Sequence, residues 1–434
     1  MDTLRKRYGP PSLWLVCKTV LIGAGILAVA SCAGTRELVG TPNLFSASGF
    51  YPETGVPDHL KTTTPDLFFV TDRKFGEDGK YGVGRSPSMA FGRVRVSFGD
   101  NMSWHQLARI SGQKNRDVSI PLHLDEQSEI VRFPATPLPF SFTNGKLKTL
   151  AASRAKYESK KSVLQKRLAS ELRAANKKEI VLFVHGFNNT FEDAAFGLAD
   201  IWHFTGRVGV PVFYTWPAGN GGLTGYFKDS EAGNYSIFHF KETMRILSTT
   251  PGLERIHIVA HSRGTDVVTT GLRELVIEHR AQGKNPRNSL KIQNLILAAP
   301  DLDFGIVRQR LIAERFGPAI GQITVYLNQN DGALGLSQRI AAGKRFGRLT
   351  FDDLGVEEKA IFSRVKNVNF VDIPDVDGLI GHAYFRENPG VLSDIAIAIR
   401  HGAAPGEDLR PLEHVAINFW ELPKDYPYQE NAAQ

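Results

Sequence analysis

Short apolar runs alternate with helical patterns from residue 178 to residue 371. The runs are Ile180–Val184, Val210–Tyr214, Ile256–Ala260, Leu295–Ala298, Ile323–Leu327 and Val368–Val371. The helical patterns are Thr190–Phe204, Glu231–Leu247, Thr265–Arg280, Ile306–Phe316 and Leu334–Ala342. Because the runs lack a strict apolar-polar alternation, they predict an α/β fold, with a mostly parallel central sheet and helices on both faces. Functional residues are then expected at the carboxyl ends of the strands.

Two strand patterns precede this region. Leu67–Thr71 and Phe91–Phe98 predict an N-terminal antiparallel pair, and the alternation of the second is typical of a half-exposed edge strand. Residues 100–178 are interpreted as an insertion, whose first part has no regular pattern of helix or strand. It ends in a lysine-rich helix over 147–176, whose charges favour a solvated face over a binding patch. We expect one domain over 65–400.

The first 31 residues have the pattern of a secretory signal. A basic segment at residues 5–7 precedes an apolar run at residues 20–30, which is too short to span a bilayer comfortably. The string Val29-Ala30-Ser31-Cys32 resembles the lipobox of bacterial lipoproteins. That resemblance implies that Cys32 is acylated and becomes the new N-terminus. The alternative is an ordinary signal peptide or a signal anchor.

The same resemblance implies a location in the cell envelope. A residue other than aspartate at Ala33 favours the outer membrane of a Gram-negative bacterium, so the predicted membrane contact is through lipidated Cys32. Residues 32–64 are rich in Gly, Pro, Ser and Thr and predict a flexible tether. Residues 401–434 are interpreted as a C-terminal extension.

Composition excludes several classes of protein. The chain has 434 residues, 42% of them hydrophobic and 22% charged, which is typical of a globular protein. The net charge is +7, and the first 31 residues contribute +3 of it, so we expect no nucleic-acid partner. The two cysteines, Cys17 and Cys32, exclude a disulfide framework and a cysteine zinc site. No nucleotide-binding loop follows a strand, and neither metal nor cofactor is implied.

A serine stands between a predicted strand and a predicted helix. The strand Ile256–Ala260 runs into Ala260-His261-Ser262-Arg263-Gly264, and a helical pattern follows at once. A turn this sharp needs small residues two before and two after the nucleophile, a demand that Ala260 and Gly264 meet. Ser262 is therefore the predicted nucleophile, and the alternative is that it only begins a helix.

The first strand of the parallel series leads into Val184-His185-Gly186-Phe187-Asn188, which resembles a His-Gly oxyanion loop. A tetrahedral intermediate needs two backbone N–H donors, and by this resemblance they come from Phe187 and Arg263. For His185 we favour a role in bracing the loop over a catalytic one.

A serine nucleophile needs a histidine base, and four histidines follow Ser262. His382 lies in a loop after the last strand and is the predicted base. His279 falls within a helical pattern, and His401 and His414 lie in the C-terminal extension, so they are weaker candidates.

Three aspartates follow strand ends and could orient that base. Asp331 stands just past the penultimate strand and is the preferred acid. Asp301, with Asp303 beside it, follows the preceding strand and is the alternative acid. Asp301 could instead cap a loop, and Asp331 could be a turn residue.

Residues 66–400 resemble α/β-hydrolases, and bacterial esterase/lipase-like proteins of unknown function in particular. The strings that carry this likeness are Phe69-Val70-Thr71-Asp72-Arg73, Val184-His185-Gly186-Phe187-Asn188, Trp216-Pro217, Ala260-His261-Ser262-Arg263-Gly264, Ala299-Pro300-Asp301-Leu302-Asp303, Asn330-Asp331-Gly332-Ala333-Leu334 and Gly381-His382-Ala383-Tyr384. Ala260 stands where the usual pattern has glycine. The resemblance implies the α/β-hydrolase fold and a Ser262–His382–Asp331 triad, without an established substrate.

These patterns predict a serine hydrolase that cleaves carboxylic esters through an acyl-serine intermediate. The expected partner is a small-molecule acyl ester or lipid, and Phe187, Trp216, Tyr226 and Phe227 either line an acyl pocket or pack in the core. Thioesterase, amidase or acyltransferase chemistry uses the same triad. A lipid-anchored envelope protein that uses the scaffold only for binding is the alternative from a different class.

Overall fold

A large sheet organises the protein. The computed structural model describes residues 36–341, 343–374 and 382–428, so the predicted signal segment and Cys32 lie outside the described residues. The strands, in chain order, are β1 (Asp66–Phe75), β2 (Tyr81–Phe98), β3 (Leu122–Arg132), β4 (Phe140–Thr143), β5 (Lys146–Thr149), β6 (Glu179–Val184), β7 (Val210–Thr215), β8 (Arg255–His261), β9 (Ile292–Ala298), β10 (Gln322–Leu327), β11 (Val368–Asp372), β12 (Glu413–Ala416) and β13 (Phe419–Glu421).

Eleven of these strands form one sheet in the order β12-β13-β11-β10-β9-β8-β6-β7-β1-β2-β3. In the part of this order that runs from β13 to β1, each strand is parallel to its neighbours within that part. The outer pairs, β1–β2, β2–β3 and β12–β13, are antiparallel. The predicted α/β fold, with a mostly parallel sheet and an N-terminal antiparallel pair, is confirmed.

Helices cover both faces of the sheet. The α-helices are α1 (Asn43–Ser46), α2 (Trp104–Ser111), α3 (Ala151–Ala174), α4 (Phe191–Phe204), α5 (Gly222–Ser248), α6 (Gly264–Ala281), α7 (Pro286–Leu290), α8 (Phe304–Val307), α9 (Gly332–Ala341), α10 (Val356–Phe362), α11 (Tyr384–Glu387) and α12 (Pro389–His401). A π-helix occupies Arg308–Ile312, and 3-10 turns occupy Glu53–Gly55, Asp58–Leu60, Gly317–Ala319, Phe346–Arg348 and Phe351–Asp353. No helix among the described residues is both long and apolar enough to cross a bilayer.

The two faces of the sheet bury separate apolar cores. Ile180, Leu182 and Val184 of β6 pack into the core under α3, α5 and α6, whereas Val181 and Phe183 pack into the other, under α4 and α12. Successive side chains of a strand point to opposite faces of the sheet, so an uninterrupted apolar run supplies buried side chains to both cores.

The insertion near 100–178 is more regular than its sequence suggests. It holds α2, the edge strand β3, the isolated β4–β5 hairpin and α3. The prediction that the second strand is an edge strand is wrong, because β3 pairs along it from Ala90 to Phe98. The sequence of β3 is mostly polar, so it lacks the apolar pattern by which strands are predicted. An edge strand can be held by backbone hydrogen bonds to its one neighbour without burying many apolar side chains.

Residues 36–64, for which the sequence predicts a flexible tether, pack against the domain. Phe45 and Tyr51 are buried. The Tyr51 hydroxyl donates to the carbonyl of His203 at 2.8 Å, and Arg36 forms an ion pair with buried Asp200 at 3.1 Å. These anchors are spaced irregularly, so periodicity does not reveal them.

The region interpreted as a C-terminal extension completes the sheet with β12 and β13. Arg410, fully buried, donates through Nη2 and Nε to the two carboxylate oxygens of Asp394, at 2.7 and 2.8 Å. Burial raises the pKa of Asp394, but Arg410 more than offsets this and holds the pKa below its usual value. The ion pair joins the segment after α12 to that helix.

One predicted helix is divided. The pattern over 306–316 corresponds to α8 followed by the π-helix Arg308–Ile312, and the chain after it turns into the 3-10 segment Gly317–Ala319. Pro318 explains why no α-helix runs through 317–319, but nothing in the described contacts explains the change from α-helix to π-helix at Arg308.

Candidate active site

Ser262 occupies a strained turn at the carboxyl end of β8. Its φ is +51°, in the left-handed region. This backbone conformation is energetically unfavourable for any residue other than glycine. Two contacts hold this conformation: the Ser262 N–H donates to the carbonyl of Ala298 at 3.0 Å, and the Thr265 hydroxyl donates to the Ser262 carbonyl at 2.5 Å. Helix α6 begins two residues later, so the structure has the strand-turn-helix geometry of a nucleophile elbow.

Two glycines allow the backbone to pack around this turn. A Cβ on Gly186 would lie 2.8 Å from the Cβ of Ser262, and a Cβ on Gly264 would lie 2.2 Å from the carbonyl oxygen of His185. Real side chains do not approach so closely, so both positions need glycine. The loop after β6 and the turn after β8 are thereby held in direct contact.

His382 links the serine to a carboxylate. Its Nε2 lies 2.9 Å from the Ser262 Oγ, and its Nδ1 lies 2.7 Å from the Asp331 Oδ2. A carboxylate can only accept, so Nδ1 carries the proton and Nε2 is left to accept from the serine hydroxyl. The structure therefore brings together Ser262, His382 and Asp331, in an arrangement that can move the serine proton onto imidazole.

Asp331 is fixed at the amino end of α9. Its Oδ1 accepts the N–H of Leu334 at 2.9 Å, while Oδ2 faces His382. The side chain is fully buried, whereas that of His382 is 20% exposed. One carboxylate thus caps a helix and faces the imidazole, so Asp331 is more than the turn residue of the alternative interpretation.

Asp301 and Asp303 have other partners. The carboxylate of Asp301 accepts from the Tyr226 hydroxyl at 2.9 Å and from the Ser337 hydroxyl at 2.6 Å, and lies 3.6 Å from Arg345. Asp303 caps α8 by accepting the N–H of Ile306 at 2.9 Å. The described contacts of His382 include neither aspartate.

The other candidate histidines lie on secondary-structure elements away from this cluster. His279 Nδ1 contacts the carbonyl of Leu275 within α6, His401 ends α12, and His414 lies on β12 and contacts the carbonyl of Ile417. None of their described hydrogen bonds reaches Ser262.

His261, which sequence analysis did not select, contacts the segment that carries His382. Its Nε2 donates to the His382 carbonyl at 3.0 Å, and its ring stacks on Phe385 with centroids 4.4 Å apart. Burial, with the nearby His382, lowers the pKa of His261 well below its usual value. A neutral ring keeps this donor geometry, so His261 is a positioning residue for the segment that carries His382. Its signal in the sequence is only its place beside Ser262.

The oxyanion donors suggested by resemblance lie on the two loops in contact. Within the described part of the chain, the backbone N–H groups of Phe187 and Arg263 have no hydrogen-bond acceptor. Asn189 and Asp229 hold the first loop by accepting the N–H groups of Gly186 and Asn188, at 3.2 and 2.9 Å. Unpaired N–H groups on a fixed loop can donate to a charge that develops during a reaction.

His185 braces this loop through its ring. Nδ1 donates to the carbonyl of Gly186 at 2.9 Å, so Nε2 accepts from the Thr215 hydroxyl at 3.0 Å. Arg73 approaches the same nitrogen at 3.3 Å. Burial, and then the charge of Arg73, lower the pKa of His185 well below its usual value. These contacts favour the bracing role over a catalytic one.

Arg73 connects three segments around the site. Its guanidinium donates to the Thr215 hydroxyl and the Ala218 carbonyl, each at 2.8 Å, and to the Asn189 carbonyl at 2.8 Å. It is almost fully buried. Arg73 is thus a second supporting residue that sequence reasoning missed, although its string contributed to the family resemblance.

An aromatic wall stands beside the two oxyanion candidates. The Tyr226 ring lies edge-on to Phe187 at 5.6 Å, and the Arg263 guanidinium lies 5.8 Å from the same ring. Phe227, on the next position of α5, is 56% exposed. Trp216 is instead fully buried and stacks on His185 at 5.1 Å, so it belongs to the core.

The family described as "Alpha/beta hydrolase of unknown function (DUF900)" matches residues 160–400, more than half of the chain. The chain belongs to this family of alpha/beta hydrolases. Its sheet and the strand-turn-helix at Ser262 fit that assignment. No curated protein matches the chain. Among the described residues of this hydrolase, no cluster of three or more His, Cys, Asp or Glu side chains could hold a metal ion.

The buried histidines predict an acid-sensitive fold. His185 and His261 stay neutral in the folded hydrolase but bind protons when it unfolds, so the unfolded state holds more protons below about pH 6.5. The free energy of unfolding should then decrease as the pH falls, by about 1.4 kcal/mol per pH unit for each histidine. Denaturant titrations at about pH 7.5 and about pH 5.5 measure this.

The matched variant is His261→Gln, because glutamine does not titrate yet can donate to the His382 carbonyl. The free energy of unfolding of this variant should change less steeply with pH than that of the wild type, because its unfolding takes up about one proton fewer. An identical slope in the two proteins would show that His261 is not the source of the effect.

Proposed function

We propose that this alpha/beta hydrolase is a serine hydrolase that cleaves carboxylic esters through an acyl-Ser262 intermediate. The single observation that supports it most is the continuous chain of contacts from Ser262 through His382 to Asp331, at 2.9 and 2.7 Å. In a protein that used the scaffold only for binding, nothing would maintain a strained serine, a base and a buried carboxylate in register.

In this proposal Ser262 Oγ attacks the carbonyl carbon of the ester as His382 Nε2 takes the hydroxyl proton. Asp331 stabilises the imidazolium that forms, and the N–H groups of Phe187 and Arg263 donate to the oxyanion. The imidazolium then protonates the departing alkoxide, which leaves as an alcohol. The same imidazole then takes a proton from a water molecule, whose oxygen attacks the acyl carbon. The bond between that carbon and Ser262 Oγ breaks, the imidazolium returns its proton to Oγ, and the carboxylic acid is released.

The aromatic wall favours an ester with an apolar acyl or alkyl group. The ring of Tyr226 contacts the ring of Phe187 and lies near the Arg263 guanidinium, and Phe227, which is partly exposed, contacts Tyr226 in turn. Thioester, amide and acyl-transfer chemistry would use the same three residues. Turnover of p-nitrophenyl esters of increasing chain length, compared with the corresponding thioesters and anilides, separates these reactions.

Replacing Ser262 by alanine should abolish labelling by a fluorophosphonate probe and all ester turnover, because the probe reacts with one activated hydroxyl. Ser337→Ala is the matched control, since Ser337 is also buried and hydrogen-bonded but contacts Asp301 instead of His382. The full chain is used for both variants, and circular dichroism verifies that they fold. Undiminished labelling of Ser262→Ala, or a wild type inert to the probe and to every ester, would refute the proposed activity.

Asp331→Asn should fold normally, because asparagine can still cap α9, yet lose about 10⁴-fold in turnover through loss of the correct imidazole tautomer. Asp301→Asn should retain most of its turnover, since Asp301 contacts Tyr226 and Ser337. Steady-state rates and thermal unfolding of both variants make the comparison. The reverse ranking of rates would transfer the acid role to Asp301.

We also infer a location in the cell envelope, with a lipid anchor on Cys32. Val29-Ala30-Ser31-Cys32 provides the small residues and the thiol that acylation requires, and two acyl chains suffice for stable anchoring. With alanine at position 33, the outer membrane of a Gram-negative bacterium is the proposed destination.

Cys32→Ser should accumulate as an unacylated precursor that is absent from outer membranes after a high-salt wash, because serine cannot form the thioether. Cys17→Ser is the matched control and should be processed like the wild type. Membrane fractionation and incorporation of a labelled fatty acid provide the measurements. Normal acylation of Cys32→Ser would rule out the lipobox interpretation.

A further inference from the structure

The β4–β5 hairpin is amphipathic and stands apart from the main sheet. In its register Phe142 lies opposite Leu147, and Phe140 lies opposite Thr149. Directly opposed residues of an antiparallel pair project to the same face, and so do residues two apart. Phe140, Phe142 and Leu147 therefore share one face, and Lys146 and Lys148 share the other.

The apolar face of this hairpin is open to solvent. Phe140, Phe142 and Leu147 are 58%, 71% and 66% exposed, and Leu150, which joins the hairpin to α3, is 45% exposed. A two-stranded hairpin pairs with no other strand of the described chain and is marginally stable alone. Clustered, exposed apolar residues on a projecting element are typical of a surface that is covered in use.

The positive charge of the chain is concentrated in the same region. Residues 140–178 hold eleven lysine and arginine residues and two glutamates, a net charge of +9, whereas the whole chain carries +7. The remainder of the chain is therefore slightly acidic. The charge is not an average property of the protein but a local one, on the hairpin and α3.

Most of these cations have no acidic partner among the described residues. Within the described residues, ion pairs in this segment join Lys161 to Glu158 and Arg167 to Glu171. Lys146, Lys148, Arg154 and Lys156 form none and are exposed, and so is the first half of α3 generally. The buried residues of α3 begin at Leu164. The exposed residues of the hairpin and of 151–160 are called here the hairpin surface: they comprise the apolar face of the hairpin and the cations on its other face and on the start of α3.

We propose that the hairpin surface docks on a lipid bilayer that contains anionic headgroups. The Phe and Leu side chains insert among the acyl chains at the interface, and the lysine stems extend their ammonium groups to the phosphates. Each basic residue near an anionic bilayer strengthens binding about fivefold. This contact would orient the domain on its membrane, a task that a single N-terminal anchor does not perform.

The chemistry of the hairpin surface favours a lipid over a macromolecular partner. The centre of a protein interface is depleted in lysine, whereas this surface is dominated by lysine. A nucleic acid would be held by phosphate contacts and gain little from Leu147 or from phenylalanines on a face without lysine. Aromatic and basic residues together on a protruding element are the combination that suits a bilayer interface.

Flotation with vesicles tests the proposal. The protein is the chain that begins at Ala33, which lacks the acylated cysteine but keeps every core residue described above. The vesicles contain either phosphatidylcholine alone or phosphatidylcholine with phosphatidylglycerol. We expect binding to the anionic vesicles that is at least tenfold stronger than to the neutral ones and that weakens as salt is added.

Two triple variants separate the apolar and the ionic contributions. The apolar variant replaces Phe140, Phe142 and Leu147 by serine. It should bind anionic vesicles more than tenfold more weakly than the wild type at any salt concentration. The charge variant replaces Lys146, Lys148 and Lys156 by glutamine. It should bind anionic vesicles more than tenfold more weakly than the wild type at low salt only. Both variants should keep the wild-type rate of ester turnover, since no residue of the hairpin surface contacts Ser262 or His382 in the described structure.

Matched controls change equally exposed residues elsewhere. The apolar control replaces Phe50, Leu409 and Val415 by serine, and the charge control replaces Lys80, Lys284 and Lys424 by glutamine. Both should bind as the wild type does. Equal binding to the two kinds of vesicle, or wild-type binding by the apolar triple variant, would overturn the proposal. RNA binding that is as tight as vesicle binding and insensitive to the apolar substitutions would identify a nucleic-acid surface instead.

Discussion

The close approach of two backbones beside Ser262 is the constraint on which the rest of the site depends. Because β6 and β8 are adjacent and parallel, the loops that follow them emerge side by side. The space between them admits no Cβ at Gly186 or Gly264. The positive φ of Ser262 turns the chain within this space, and the surrounding sheet and α6 maintain the strain. Both proposed oxyanion donors are consequences of the same packing, since Phe187 follows one glycine and Arg263 precedes the other.

A buried cation, Arg73, holds the loop after β6 against the end of β7. Burial lowers the pKa of Arg73 to about 10, although Asp72 opposes the shift, so the guanidinium remains charged near neutral pH. Its desolvation is offset by hydrogen bonds to the segments around Thr215, Ala218 and Asn189. A positioned donor stabilises an oxyanion only if its loop does not need to reorganise, and Arg73 supplies that rigidity at a distance from the serine.

Sequence reasoning predicted those parts of the fold whose signals are local. The apolar runs specify the parallel strands, and the strand-turn-helix at Ser262 lies within a few residues, as do the strings around Asp331 and His382. Features built from distant residues were missed: Arg36 meets Asp200, Arg410 meets Asp394, and neither pair has a periodic pattern. The first pair lies at the start of the packed segment 36–64, and the second joins the chain before β12 to α12. For His261 the contact depends on where the chain after β11 returns, which no local pattern encodes.

The choice between two acidic residues illustrates why strand order alone does not determine chemistry. Asp301 follows β9 and Asp331 follows β10, so both emerge from the sheet edge that carries Ser262. Their partners distinguish them. The carboxylate of Asp301 is occupied by the hydroxyls of Tyr226 and Ser337, and its carbonyl accepts from the Arg263 guanidinium at 3.1 Å. Asp301 therefore links Tyr226 of the aromatic wall to Arg263 of the turn after β8, while Asp331 faces His382.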